Sequence, residues 1–172
     1  NPNRCVVAAQ ADLDEAGNGL IYLMAVTAEE DFDATAIDPT VVARKAANTI
    51  RHELMHDRQY ANTAADMGIT KREVKKKFED WGLIPPAGAP REDYLSSHIE
   101  IDAYGHEFAE ELAQKFGLDE AQRLVASADV KEMRRLAEQM KDEMSENFVE
   151  YYGEFGDASF TKKLQKKIRK YL

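Results

Sequence analysis

His52-Glu53-Leu54-Met55-His56 sets two imidazoles four residues apart with a glutamate between them. Residues i and i+4 are neighbours on one side of a helix, so the pair can reach a single metal ion, and the intervening carboxylate then stands beside any water at that ion. The flanking sequence makes the helix. Asp38-Pro39 reads as an N-cap followed by proline at the first helical position, where the missing N–H does no harm. From there Val42, Ala46, Ile50 and Leu54 recur every four residues as an apolar stripe expected to face a core, with His52, Glu53 and His56 to one side of it. No glycine or proline interrupts the run, so a helix is expected from about Pro39 to Ala61, with the motif on a rigid support.

Catalytic zinc takes three protein ligands and keeps a fourth position for water, whose pKa the metal lowers to about 7. On that chemistry His52 and His56 are two ligands, and Glu53 is the general base that takes the water's proton as it attacks a peptide carbonyl. The best candidate for the third ligand lies in Ser97-His98-Ile99-Glu100-Ile101-Asp102-Ala103-Tyr104-Gly105-His106-Glu107-Phe108-Ala109. On a second helix, over about 97–116, Glu100, Ala103, Tyr104 and Glu107 share one face. Small Ala103 permits close approach there, and Tyr104, one turn past Glu100, can hydrogen-bond a substrate carbonyl or the tetrahedral intermediate. Ser97-x-x-Glu100 also matches a capping box, in which the glutamate merely satisfies a backbone N–H. Asp102, His98 and His106 are the alternative third ligands.

HExxH followed by Glu100-x-x-Ala103-Tyr104 and then Phe108-Ala109-x-Glu111-Leu112 resembles the gluzincins, and most of all the compact minigluzincins, the ImmA/IrrE-like metallopeptidases of bacteria and phages. The resemblance covers the first helix and Glu100 to Leu112, a small part of the chain. Tyr104 stands where those proteins often have asparagine. What it implies is a zincin-like core with His52, His56 and Glu100 holding one Zn2+ per chain, Glu53 as base, an upstream strand along the cleft, and cleavage of a protein or peptide substrate.

Arg4 to Ala11 and Gly19 to Thr27 read as strands on either side of the turn-prone Asp14-Glu15-Ala16-Gly17-Asn18-Gly19. A small hairpin or sheet at about 4–27 is therefore expected ahead of the histidine helix, with an edge able to hold substrate backbone by strand addition. The remainder reads helical. Thr70-Lys71-Arg72-Glu73 is a capping box opening a helix to about Trp81, stopped by Gly82 and Pro85-Pro86. Pro85 to Pro90 reads as a connecting loop, with a flap over the cleft as the alternative. Leu118 to Ser127 forms a short helix, and Asp129 caps a longer one along which Met133, Leu136, Met140, Met144 and Phe148 recur as a core stripe. The fold class is α+β, mostly α-helical, with a single domain over 1–172 and C-terminal helices from about 118 to 172.

Thr161 to Leu172 surrounds the apolar line Leu164, Ile168, Leu172 with Lys162, Lys163, Lys166, Lys167, Arg169 and Lys170, which reads as a packed terminal helix with a solvated basic face. The chain of 172 residues nevertheless carries a net charge of −9, so nucleic acid is not expected as a general partner. No apolar run approaches the length of a membrane span. A single cysteine, Cys5, excludes an internal disulfide and favours a reducing, cytoplasmic setting, where it reads as a small buried hydrophobe. The first residue is Asn1, which is compatible with a removed signal or pro-segment and hence with secretion. Two further functional classes are open: a binding or structural protein, phage-encoded in one version, whose HExxH is inactive or accidental, and a metallohydrolase of non-peptide amides. A purely structural zinc site tends to fill all four positions with Cys or His, and this chain, with one cysteine and four histidines, has few to offer, which favours an open, catalytic site.

Overall fold

The uninterrupted run around the histidine motif forms one helix, α1 (Pro39–Met67), which continues past Ala61. It ends where Gly68 enters the left-handed region at φ 64, a conformation glycine adopts without a Cβ penalty, and the Ile69 N–H turns back to the Ala64 carbonyl at 3.1 Å. The structure is a computed structural model that describes residues 5–13, 19–27, 39–141 and 143–172, with side chains described from 39 onward except those of 41 and 142. The N-cap expected at Asp38, the turn expected over 14–18 and the side chain of Cys5 lie outside the described residues. The chain is mostly helical and divides into two compact units, Asn1–Lys76 and Lys77–Leu172.

In the first unit β1 (Cys5–Leu13) and β2 (Gly19–Thr27) run antiparallel, with Cys5 opposite Thr27 and Leu13 opposite Gly19. Helix α1 packs against this pair, chiefly against β1. The buried positions of α1 are Asn48, His52, Met55, His56 and Ala64. The expected core stripe is corrected at its end: Leu54 is 53% exposed, and Val42, Ala46 and Ile50 are only half-buried. The reason is helical geometry. At about 100° per residue, a four-residue step drifts by about 40°, so three steps carry Leu54 about 120° around the helix from Val42. Leu54 thereby ends on the side opposite His52, and the motif face takes the buried position. Helix α2 (Lys71–Asp80) opens with the expected capping box: the Thr70 N–H donates to Glu73 Oε2 at 2.8 Å, and the Glu73 N–H donates to Thr70 Oγ1 at 3.3 Å. Lys71 at its start pairs with Asp57 of α1 at 2.6 Å.

The second unit comprises α3 (Arg91–Ser96), α4 (His98–Phe116), α5 (Leu118–Ser127), α6 (Val130–Gln139), α7 (Glu146–Gly153) and α8 (Ser159–Tyr171). Helix α4 is its centre and packs against α3, α5 and α8. Its Phe108 lies edge-on to Phe148 at 5.2 Å and to Tyr151 at 5.7 Å, and the Tyr151 hydroxyl donates to the Leu95 carbonyl at 2.7 Å, so the buried phenol is satisfied. Leu164 and Ile168 of α8 are fully buried while Lys162, Lys163, Lys166 and Lys170 are exposed, as the amphipathic pattern requires. Lys167 pairs with Asp102 of α4.

Asp129 caps α6 as expected, and Glu132 completes a capping box with it. The single long helix expected beyond it is corrected. Met133, Met140, Met144 and Phe148 are all buried, but α6 stops at Gln139 and α7 starts afresh at Glu146. Ser145 explains the break: its hydroxyl accepts the Phe148 N–H as an N-cap, and its own N–H donates to the buried carboxylate of Glu111 at 2.7 Å. In an unbroken helix that N–H would return to the carbonyl four residues earlier, and a charged acceptor outcompetes it. Among the described residues no helix is long and apolar enough to cross a membrane.

Candidate metal site

Helix α1 presents His52 and His56 one turn apart with only 5% and 7% of their surface exposed. Their Nε2 atoms are 3.1 Å apart, and the rings meet edge to face at a centroid distance of 4.8 Å. Two nitrogens bound to one tetrahedral zinc at about 2.0–2.1 Å stand about 3.3 Å from each other, so the convergence of these two atoms suits a shared cation. The other ring nitrogen of His56, Nδ1, is 3.1 Å from Gln59 Oε1. Glu53, between the histidines, is half-buried and so less enclosed than either ring.

Helix α4 buries Glu100, Ala103, Tyr104 and Glu107, the four residues assigned to one face by spacing. Glu100 is in the first turn and is 5% exposed. Ser97 occupies the N-cap position but makes no side-chain cap bond, and its hydroxyl oxygen has no partner, so the capping box read at Ser97-x-x-Glu100 is not formed from the serine side. His52, His56 and Glu100, the residues read as ligands, are all three buried, the histidines in the first unit and the glutamate in the second. This donor set of two imidazoles and a carboxylate fits zinc and leaves a coordination position open.

The alternative third ligands have other places. Asp102 is paired with Lys167, His98 is exposed, and His106 packs edge-on against Tyr171 at 5.2 Å with its Nε2 3.8 Å from Glu110. Tyr104 lies in the core of the second unit, its ring 5.3 Å from Tyr151 and 5.5 Å from Phe108. Burial pushes its phenol well above the usual tyrosine range, with neighbouring acidic groups adding to the shift, so the hydroxyl is protonated at neutral pH and able to donate. Gln59 was not singled out from the sequence. Its spacing, one turn after His56 on the same helix, is the signal that reaches it. No protein-family profile, no curated protein and no solved structure matches this chain.

Proposed function

We propose that the chain is a zinc-dependent metalloendopeptidase of gluzincin type, similar to the minigluzincins, that hydrolyses a peptide bond in a protein or peptide substrate. The observation that carries the reading is the buried histidine pair of α1, its Nε2 atoms 3.1 Å apart, with Glu53 between the two residues on the same helix. His52, His56 and, from α4, Glu100 would hold one zinc ion per chain, which when bound supplies a Lewis acid and lowers the pKa of water at the open position. Glu53 takes the proton of the attacking water and passes it to the nitrogen of the scissile amide as the C–N bond breaks. The Tyr104 hydroxyl donates a hydrogen bond to the oxyanion that develops on the carbonyl. Substrate backbone would add to an edge of the β1–β2 pair, completing a zincin-like arrangement in which strand pairing supplies affinity without side-chain readout.

The test is metal content and peptidase activity on a denatured protein substrate, compared among the wild type, Glu53→Gln and Glu100→Ala. The expected result is about one zinc per chain in the wild type and in Glu53→Gln, with hydrolysis in Glu53→Gln reduced by about 10²–10⁴. Zinc is expected to be lost from Glu100→Ala. A wild type that binds zinc but cleaves no peptide points to a binding protein with an inactive site. A wild type that binds none makes HExxH a coincidence of helical sequence.

A further inference from the structure

Gln59 adds to the histidine helix something that the three ligands cannot supply for themselves. An imidazole coordinates through a lone pair, and a neutral ring has one such nitrogen, so whichever nitrogen carries the proton is closed to a metal. Gln59 Oε1 can only accept, and it faces His56 Nδ1 at 3.1 Å. The proton therefore belongs on Nδ1, and the lone pair belongs on Nε2, which is the atom 3.1 Å from His52 Nε2. The same hydrogen bond fixes the rotation of the ring about its Cβ–Cγ bond, since the acceptor and the imidazole stand one turn apart on one rigid helix. A neutral amide does this without adding a negative charge to the helix that carries Glu53.

We infer that Gln59 is a positioning residue for the metal: it holds His56 in the tautomer and orientation that present Nε2 to the ion. This rests on the metal-site reading above. Outer hydrogen-bond partners of metal-binding histidines typically govern affinity by 10–100-fold, and the inference sets Gln59 in that range.

The experiment measures Zn2+ affinity by competition with a chromophoric chelator, for the wild type, Gln59→Leu and Gln59→Glu, with circular dichroism on each. Leucine keeps the bulk and removes the acceptor, whereas glutamate restores an acceptor in nearly the same shape. The expected result is an affinity roughly 10–100-fold weaker in Gln59→Leu, wild-type or tighter affinity in Gln59→Glu, and unchanged helix content in both. Wild-type affinity in Gln59→Leu overturns the inference and leaves the metal site standing. Equal weakening in both variants also overturns it, since packing rather than hydrogen bonding is then at work. A wild type that binds no Zn2+ overturns the metal-site reading and the inference together. If Gln59→Leu loses helix content, the decision passes to Gln59→Glu alone, where wild-type affinity supports the inference and a tenfold loss overturns it.

Discussion

Replacing Gly105 by alanine sets two effects of opposite sign against each other, and the structure decides between them. Alanine inside a helix is favoured over glycine by about 0.5–1 kcal/mol, because glycine gives up more backbone freedom on folding. At Gly105, however, an added Cβ would stand 2.5 Å from the Cβ of Lys167 and 3.4 Å from its backbone carbon. Carbon atoms pack best at about 3.5–4.0 Å, so α8 would have to withdraw from α4 by about 1 Å. The clashing atom is next to the backbone and cannot swing aside as a lysine terminus could. Overpacking of this kind costs about 1–3 kcal/mol, and a contact this short belongs at the upper end. The net expectation is a loss of about 1–2 kcal/mol, which lowers the melting temperature by about 2–8 °C in a chain of this length. Gly153→Ala is the matched control, since its added Cβ meets nothing within 4 Å, and it should be neutral or stabilising by up to about 1 kcal/mol. Thermal and urea unfolding followed by circular dichroism measure both variants. A Gly105→Ala protein as stable as the wild type would refute the claimed approach of α4 and α8.

Two further outcomes follow from burial and from the proposed metal site. Burial raises the phenol pKa values of Tyr104, Tyr151 and Tyr152 above the ordinary tyrosine value. A raised folded-state pKa means the stabilisation is complete below the unfolded value of about 10 and is lost as pH climbs beyond it, by up to about 1.4 kcal/mol per pH unit for each group. The three should therefore ionise only as the chain unfolds at high pH, which parallel tyrosinate absorbance and circular dichroism would register; ionisation near pH 10 with the helices intact would contradict it. Removing zinc with a chelator should abolish hydrolysis while leaving the aromatic core around Phe108, Phe148 and Tyr151 folded. Loss of near-ultraviolet circular dichroism on chelation would show that the second unit depends on metal after all.

What the sequence made legible was local. HExxH at helical spacing, the capping box at Thr70, the cap at Asp129, and the shared face of Glu100, Ala103, Tyr104 and Glu107 all depend on residues within two turns of each other. What it hid depended on partners far along the chain. Leu54 looks like core in a list of apolar repeats, but rotation along α1 carries it away from the buried histidine face. The methionine stripe reads as one helix until the Glu111 carboxylate, far upstream, takes the Ser145 N–H and starts a new one. The closeness of α4 and α8 at Gly105 likewise depends on Lys167, far along the chain, which occupies the space a Cβ would take. Spacing places Tyr104 on the face of Glu100, yet Tyr151 of α7 packs against its ring.

Glu100 offers the sharpest distinction between a ligand and a carboxylate that serves the helix. It lies in the first turn of α4, where the helix dipole favours a negative charge by about 0.3–1 kcal/mol, and that benefit would exist with or without metal. Its burial works the other way, because a carboxylate taken from water is costly unless a cation or donors compensate it. Glu100→Gln keeps the shape and removes the charge, so its effect on stability separates the two roles. If Glu100 serves the helix, the variant loses the same few tenths of a kcal/mol in either state. If Glu100 is a ligand, metal-free Glu100→Gln at about pH 8, above the histidine range, should match or exceed the wild type in stability. With zinc in excess the order should reverse: each tenfold loss of affinity removes about 1.4 kcal/mol of the stabilisation that binding confers. Urea unfolding of both proteins, with and without zinc, reads the sign directly. A variant equally destabilised in the two conditions would return Glu100 to the helix terminus and leave the histidine pair without its third ligand.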